Sequence, residues 1–235
     1  MPSLKSTTLS VALLASGYLH ALCTTSPHTP KTPYRTDRIR FFVTALPTLG
    51  TNLNFLAVLY QALVTLFSTS SGSDREIGKA LCPYLENLNP DRVRWTTRTI
   101  GYFLLVLLGA GVRLSAYDGL GRNFTFQLAT PDRLVTTGVY RYLQHPSYTG
   151  LVVASLGHAG LFASRIDTPL ACLAPLPLVR MLREWEGVLA VLGAAVGGGI
   201  LGVRIRDEER MLRERFGREW EIWHQKTRRL IPGVF

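Results

Sequence analysis

The chain has 235 residues, a formal net charge of +10, and 47% hydrophobic against 18% charged residues, with the charges kept out of long uncharged blocks. This pattern excludes an ordinary soluble domain and identifies an integral membrane protein. The excess of positive charge does not indicate nucleic acid: nine of the 26 Lys and Arg fall between Arg204 and Arg229 and most others lie in loops, a distribution suited to anionic lipid headgroups, and no nucleic-acid-binding module is recognisable.

In chain order, Ser6 to Cys23 is mostly apolar behind Lys5. It reads as a first membrane helix, with a signal peptide as the alternative. Thr24 to Arg40 is a Pro-, Thr- and Arg-rich loop carrying Lys31, Arg35, Arg38 and Arg40. Phe41 to Phe67 is uncharged for 27 residues, with Pro47 and Gly50 in its first half. One kinked or tilted helix is expected there, two short ones being the alternative. Ser68 to Thr99 is polar and reads as a surface loop with a short interfacial helix. Ile100 to Tyr117 is the next span, with Arg113 near its end expected to extend its charge to the interface. The Asn123-Phe124-Thr125 sequon lies in the connection Asp118 to Gln144, which is expected to be cytosolic and so unmodified.

Tyr148 to Ser164 spans again. Ile166 to Val179 contains Asp167, Pro169, Pro175 and Pro177, and Arg180, Arg183, Glu184 and Glu186 follow. It is too short and broken to cross alone, which predicts a re-entrant or interfacial element leading into a last span, Gly187 to Val203. Gly193, Gly197, Gly198, Gly199 and Gly202 give that span small-xxx-small spacing, which predicts close helix packing. The cysteines, Cys23, Cys82 and Cys172, lack CxxC spacing, and the five histidines form no HxxxH or HExxH pair. Neither a disulfide framework nor a metal site is expected.

The expected fold class is therefore an all-α integral membrane protein of about five transmembrane helices with a cytosolic helical tail. Five crossings with the basic tail in the cytosol put 16 Lys and Arg on the cytosolic face against nine on the other, Arg113 uncounted. Residues 1–117 form an N-terminal region of three spans and two polar loops; residues 118–235 form a region of a cytosolic connection, two spans and the tail.

Two stretches in that second region share the membrane-water boundary. GVYRYLQHPSYTG, Gly138 to Gly150, has an aromatic approach and a His145-Pro146 pair that breaks the helical pattern before an uncharged segment opens. RIRDEERMLRERFGREWEIWHQKTRRLIPGVF, Arg204 to Phe235, starts where the last span stops, and its first part reads as a helix with Arg204 and Glu208 one turn apart and Phe216-Gly217 as its stop. Trp220, Trp223 and Leu230 are apolar anchors among the basic residues. Each feature alone has a bland reading: an amphipathic juxtamembrane helix, a packing histidine, an aromatic belt of Tyr140, Tyr142 and Tyr148.

Taken together and in order, LVTTGVYRYLQHPSYTG, RIRDEERMLRERFGREW and the closing Ile231-Pro232 resemble the isoprenylcysteine carboxyl methyltransferase family over roughly Asn123 to Phe235. The resemblance implies methyl transfer from S-adenosylmethionine to the C-terminal carboxylate of a prenylated cysteine, at the cytosolic face of the endoplasmic reticulum membrane. It implies cofactor contacts from Asp132, Arg133, Leu134, Val135, Tyr140, His145, Pro146, Ser147, Tyr148 and Glu208, with Gln127 a weaker match, and a substrate-carboxylate contact from Arg204. The family usually has Arg before the His-Pro pair where this chain has Gln144, which implies one cation fewer near the cofactor. Two other readings remain open: methylation of a phospholipid amine, in which Glu209 or His145 acts as base, and a membrane scaffold without catalysis. No metal and no nucleic acid enter any of them; the implied partners are prenylated proteins and the bilayer.

Overall fold

Residues 2–28, 40–68, 73–162 and 169–231 are described by a computed structural model, and the regular elements among them are helices, with no strand. The α-helices are α1 (Leu4–Thr24), α2 (Arg40–Phe67), α3 (Ser73–Leu81), α4 (Thr97–Leu120), α5 (Pro146–Phe162), α6 (Pro169–Leu173), α7 (Leu176–Phe216) and α8 (Arg218–Lys226). Among the described residues, four stretches are long and apolar enough to cross a membrane: Leu4–Thr24, Leu49–Phe67, Pro90–Asn123 and Leu176–Phe216. The chain is a multi-pass, all-α membrane protein. α5 has 17 residues, about 25 Å of helix against a hydrocarbon core of about 30 Å. Pro47 and Gly50 leave α2 a single helix.

The expected break before the last span takes a different form. α6 is short, Asp167 lies outside the described residues, and from Leu176 one helix of 41 residues runs through Arg180, Arg183, Glu184 and Glu186 and on past Arg204. Pro175 and Pro177 stand at its start, where missing amide donors cost nothing, and the charged residues that follow are good helix formers. Its glycines also depart from expectation. A Cβ built on Gly193, Gly197, Gly198, Gly199 or Gly202 meets nothing within 4 Å, so the close packing predicted there does not occur among the described residues. α7 ends at the predicted stop: Gly217 has φ 49°, which only glycine adopts without strain.

The helices divide between two units: Met1–Ala21, Asn52–Leu107 and Ala154–Leu192 in one, and Leu22–Thr51, Leu108–Val153 and Gly193–Phe235 in the other. The first unit has an apolar core of Leu9, Leu13, Val58, Ala62, Val106, Leu161 and Phe162. α1 thus fills part of a core. Polar links cross that core: Ser10 donates to Ala62 O at 2.9 Å, and His158 meets Ser16 Oγ through Nδ1 (3.2 Å) and Asn54 Oδ1 through Nε2 (2.9 Å). In lipid such side chains need partners inside the protein.

One sequence expectation is overturned in this unit. Cys82, after α3, and Cys172, in α6, form a disulfide across 90 residues of sequence. Spacing rules detect cysteines that are close in the chain, whereas here α4 and α5 lie between the two partners and only the return of the chain makes them neighbours. Cys23 stays a buried free thiol.

Candidate functional site

The second unit gathers the end of α4, the start of α5, the later part of α7, α8 and the residues that follow. Its core joins Ala116, Val135, Tyr140, Trp220 and Trp223, flanked by Leu134, Val139, Leu212 and Phe216. Trp220 and Trp223 therefore pack inward. Trp223 also donates its indole N–H to Tyr140 O at 3.1 Å. The segment after α8 is laced along the approach to α5: Gln144 N donates to Arg228 O (2.7 Å), His145 N to Arg229 O (3.0 Å), and Thr149 Oγ1 to Leu230 O (2.7 Å). Extended chain beside extended chain satisfies backbone groups that the His145-Pro146 break leaves without helical partners. Ile231 follows, and Pro232 lies outside the described residues.

Against this support His145, Tyr148, Arg204, Glu208 and Glu209 come together. The His145 ring is 3% exposed. Its Nε2 lies 3.3 Å from Glu209 Oε1, and Arg229 donates to both oxygens of that carboxylate, at 2.9 and 3.1 Å. Its Nδ1 has no hydrogen-bond partner, with Glu208 Oε1 3.9 Å away. The Tyr148 hydroxyl donates to Glu208 Oε2 at 2.7 Å and accepts from Arg204 Nε at 3.4 Å, and the rings of Tyr148 and His145 stack with centroids 5.6 Å apart. Arg204, buried, also donates to Phe126 O. The turn spacing of Arg204 and Glu208 on α7 is what lets one tyrosine touch both.

Electrostatics follow from this wiring. Burial alone raises the Glu209 carboxyl, but the hydrogen bond with His145 and the Arg229 guanidinium outweigh it and hold the group below its usual range. Burial, and then the nearby Glu208 charge, push the Tyr140 phenol up. It stays neutral and donates to Ala116 O at 3.3 Å.

The remaining sequence candidates are placed as follows. Pro146 starts α5 and is fully buried, and Ser147 is turned to Arg113, accepting from Nη1 through both Oγ (2.7 Å) and O (2.9 Å). Leu134 and Val135 pack around Tyr140. Asp132 and Arg133 are exposed on the same connection, where Asp132 N donates to Asn123 Oδ1 at 3.4 Å. Gln127 follows Phe126, and its carbonyl accepts from Thr125 Oγ1 at 2.7 Å.

Two residues behave otherwise than the sequence suggests. Arg113 does not extend to the interface: it is 3% exposed, its Nε donates to Cys23 O at 2.5 Å, and its guanidinium lies over the rings of Tyr117, Phe124 and Phe126 at 5.0, 5.8 and 5.4 Å. Carbonyls and aromatic faces replace the water that a snorkelling side chain seeks. Gln144 is turned toward α8. Its Nε2 donates to His224 O (3.0 Å) and Thr227 O (2.8 Å), which fixes Oε1 as acceptor for His224 Nδ1–H at 2.8 Å. The cation beside His145 is supplied by Arg229, 85 positions after Gln144 in the chain.

Glu209 had no role in the leading sequence reading, and Arg113 and Arg229 had none at the site. For Arg113 a signal was present, since an ionisable side chain inside an apolar span defaults to a functional role. An S-adenosylmethionine-type cofactor fits the residues present. A buried nitrogen acceptor without a partner and a carboxylate beside it suit N–H and O–H donors and positive charge, and Tyr140 and Tyr148 add aromatic faces for a cation.

Sequence comparisons relate part of the chain to known proteins. The profile of the Isoprenylcysteine carboxyl methyltransferase (ICMT) family matches residues 102–183. A Probable protein-S-isoprenylcysteine O-methyltransferase of Oryza sativa subsp. indica is 29% identical over 144 residues, 60% of this chain and 63% of its own. Protein-S-isoprenylcysteine O-methyltransferase B of Arabidopsis thaliana is 27% identical over 134 residues, 55% of this chain and 57% of its own. Protein-S-isoprenylcysteine O-methyltransferase of Schizosaccharomyces pombe is 27% identical over 144 residues, 60% and 50% respectively. The chain thus spans between half and 63% of the length of these relatives. In sequence, across the end of the first region and the start of the second, the chain resembles the isoprenylcysteine carboxyl methyltransferase family of methyltransferases.

Proposed function

We propose that the chain transfers a methyl group from S-adenosylmethionine to the C-terminal carboxylate of a prenylated cysteine, with residues 1–117 as membrane support and 118–235 as the catalytic region. The observation that carries this reading is the cluster itself: His145, Tyr148, Arg204 and Glu208 are wired together at the polar ends of two apolar helices. The relatives named for this reaction support it. The proposed location is the endoplasmic reticulum membrane, crossed five times, with the cluster facing the cytosol; the distribution of Lys and Arg supports that orientation.

When bound, S-adenosylmethionine supplies a methyl group on a positively charged sulfur. His145 and Glu208 would receive its hydrogen-bond donors, Tyr140 and Tyr148 would offer aromatic faces, and Gln127 and the Asp132 to Val135 segment would supply the remaining contacts that the resemblance implies. Pro146 and Ser147 fix the start of α5. Arg204 receives the substrate carboxylate on its guanidinium fork, in place of contacts it now makes with Phe126 O and Tyr148. A carboxylate is already ionised at neutral pH, so no base is required. The residues orient two reactants and keep water out. Methylation of a phospholipid amine needs a free base; Glu209 is committed to Arg229 and His145, which leaves His145 Nδ1 as the remaining one of the two candidate bases for that reading.

Membranes carrying the protein, offered a prenylcysteine analogue and phosphatidylethanolamine side by side, test the proposal. Methyl transfer to the prenylcysteine alone is expected. Arg204→Lys keeps the charge and loses the fork, so it should keep cofactor binding and lose most turnover. Transfer to phosphatidylethanolamine, or parental turnover in Arg204→Lys, overturns the reading.

A further inference from the structure

The two nitrogens of the buried His145 ring have unlike surroundings. Nε2 faces a carboxylate that Arg229 grips at both oxygens, while Nδ1 is without a hydrogen-bond partner. An ionised carboxylate only accepts, so the proton at this contact belongs to Nε2. With Nε2 protonated, the ring in its neutral form presents a bare lone pair at Nδ1, and Glu208 Oε1, itself an acceptor 3.9 Å away, offers it no proton. A sealed-off acceptor awaits a donor from elsewhere.

We infer that Glu209 and Arg229 are positioning residues that lock His145 as its Nε2–H tautomer, so that Nδ1 accepts a hydrogen bond from an N–H or O–H group of the bound cofactor. This deepens the cofactor-site reading and rests on it for the identity of the donor. Arg229 is delivered by the segment after α8, whose backbone is also paired with His145. One stretch of chain thereby sets both where the imidazole stands and which of its nitrogens is bare. The opposite tautomer would point a hydrogen at Glu208 and leave the Glu209 carboxylate facing a lone pair.

The test uses the full chain in lipid nanodiscs with 15N-labelled histidine rings at pH 8, the His145 signals being assigned by their loss in His145→Gln. Before any cofactor is added, Nε2 should resonate as a protonated nitrogen and Nδ1 as a bare one. Adding S-adenosylhomocysteine should move the Nδ1 signal in the direction of an accepted hydrogen bond. Glu209→Gln should mix the tautomers and weaken S-adenosylhomocysteine binding about three- to tenfold, the size of one hydrogen bond. Arg229→Met should do the same more weakly, and Arg229→Lys should restore the parental spectrum. A cofactor-free parent with bare Nε2 overturns the lock, even if Glu209→Gln does not fold. So does a Glu209→Gln protein with parental tautomer and affinity. A parent with the expected tautomer that does not bind S-adenosylhomocysteine leaves the lock standing and overturns the cofactor reading.

Discussion

α5 and α7 are both apolar helices with glycines along them, and the glycines have opposite surroundings. A Cβ on Gly150 would lie 2.6 Å from Arg113 N and 2.7 Å from Gly109 O, and one on Gly157 would lie 2.7 Å from both Tyr102 O and Val106 N. α4 and α5 touch backbone to backbone. On α7 five glycines meet nothing among the described residues, and residues 187–199 are exposed. Small-xxx-small spacing marks where a helix can be approached; the neighbour decides whether it is. α5 is also tied at its start, by the segment after α8 at His145 and Thr149, and the chain beyond its end is tied by the disulfide at Cys172. The helix expected to be packed is open, and the one whose glycines drew no notice is held.

The largest expected effect comes from loosening the held helix. A cross-link over 90 residues is worth about 4 to 5 kcal/mol by restriction of the unfolded chain, so Cys82→Ser and Cys172→Ser should lower thermal stability equally. A reductant should bring the parent down to their level and leave both variants where they are. Next is Gly150→Ala, whose new methyl runs into the backbone of α4, at about 1 to 3 kcal/mol. Thermal unfolding in nanodiscs reads it, and parental stability in this variant would break the comparison. Gly198→Ala on α7 should have the opposite sign, a gain of about 0.5 to 1 kcal/mol from helix propensity alone; a loss there would mean that α7 is packed after all.

The smallest effect is on the tie at the start of α5. Burial, ahead of the nearby Arg229 and against the pull of Glu209, lowers the His224 pKa. A depressed histidine favours the neutral folded form, so its contribution is complete above about pH 6.5, the ordinary unfolded value. It is lost as pH falls through the folded value. Protease cutting after α8 should therefore rise modestly below that pH, and Gln144→Ala, which removes the acceptor for His224 Nδ1–H, should flatten the dependence.

How much of this was legible varies by kind of interaction. Hydropathy exposed four of the five expected spans because a bilayer demands length and apolarity, the fifth, α5, having 17 residues, and local spacing exposed Arg204 with Glu208 because one helical turn joins them. The clamp on His145 was not legible. Arg229 reaches Glu209 only after α7 stops, Gly217 turns the chain and α8 folds back, a route of 20 residues with no periodic signature. Arg113 was read as reaching water because an apolar segment does not say which of its faces meets protein. The continuity of α7 was missed because prolines and a charge cluster look like a break when their place in the first turns is unknown. The assignment of Tyr140 to Tyr148 and Glu208 to a cofactor came from resemblance, and the geometry adds the reason they suit one: an acceptor and a carboxylate side by side.

The Cys82–Cys172 bond has a consequence for how the protein is made. Ribosomes deliver Cys82 first, and its partner emerges 90 residues later, after α4 and α5 have been handed to the membrane. If α4 and α5 cross as the proposed five-crossing topology has them, one out and one back, the two thiols share a compartment. In that topology a chain in which just one of the two helices crosses has its cysteines on opposite sides of the bilayer and no means of oxidising them together. The bond would then record that the two helices were inserted alike, and a non-reducing gel of newly made protein would separate those chains from chains with one helix misthreaded before either has been asked to bind anything.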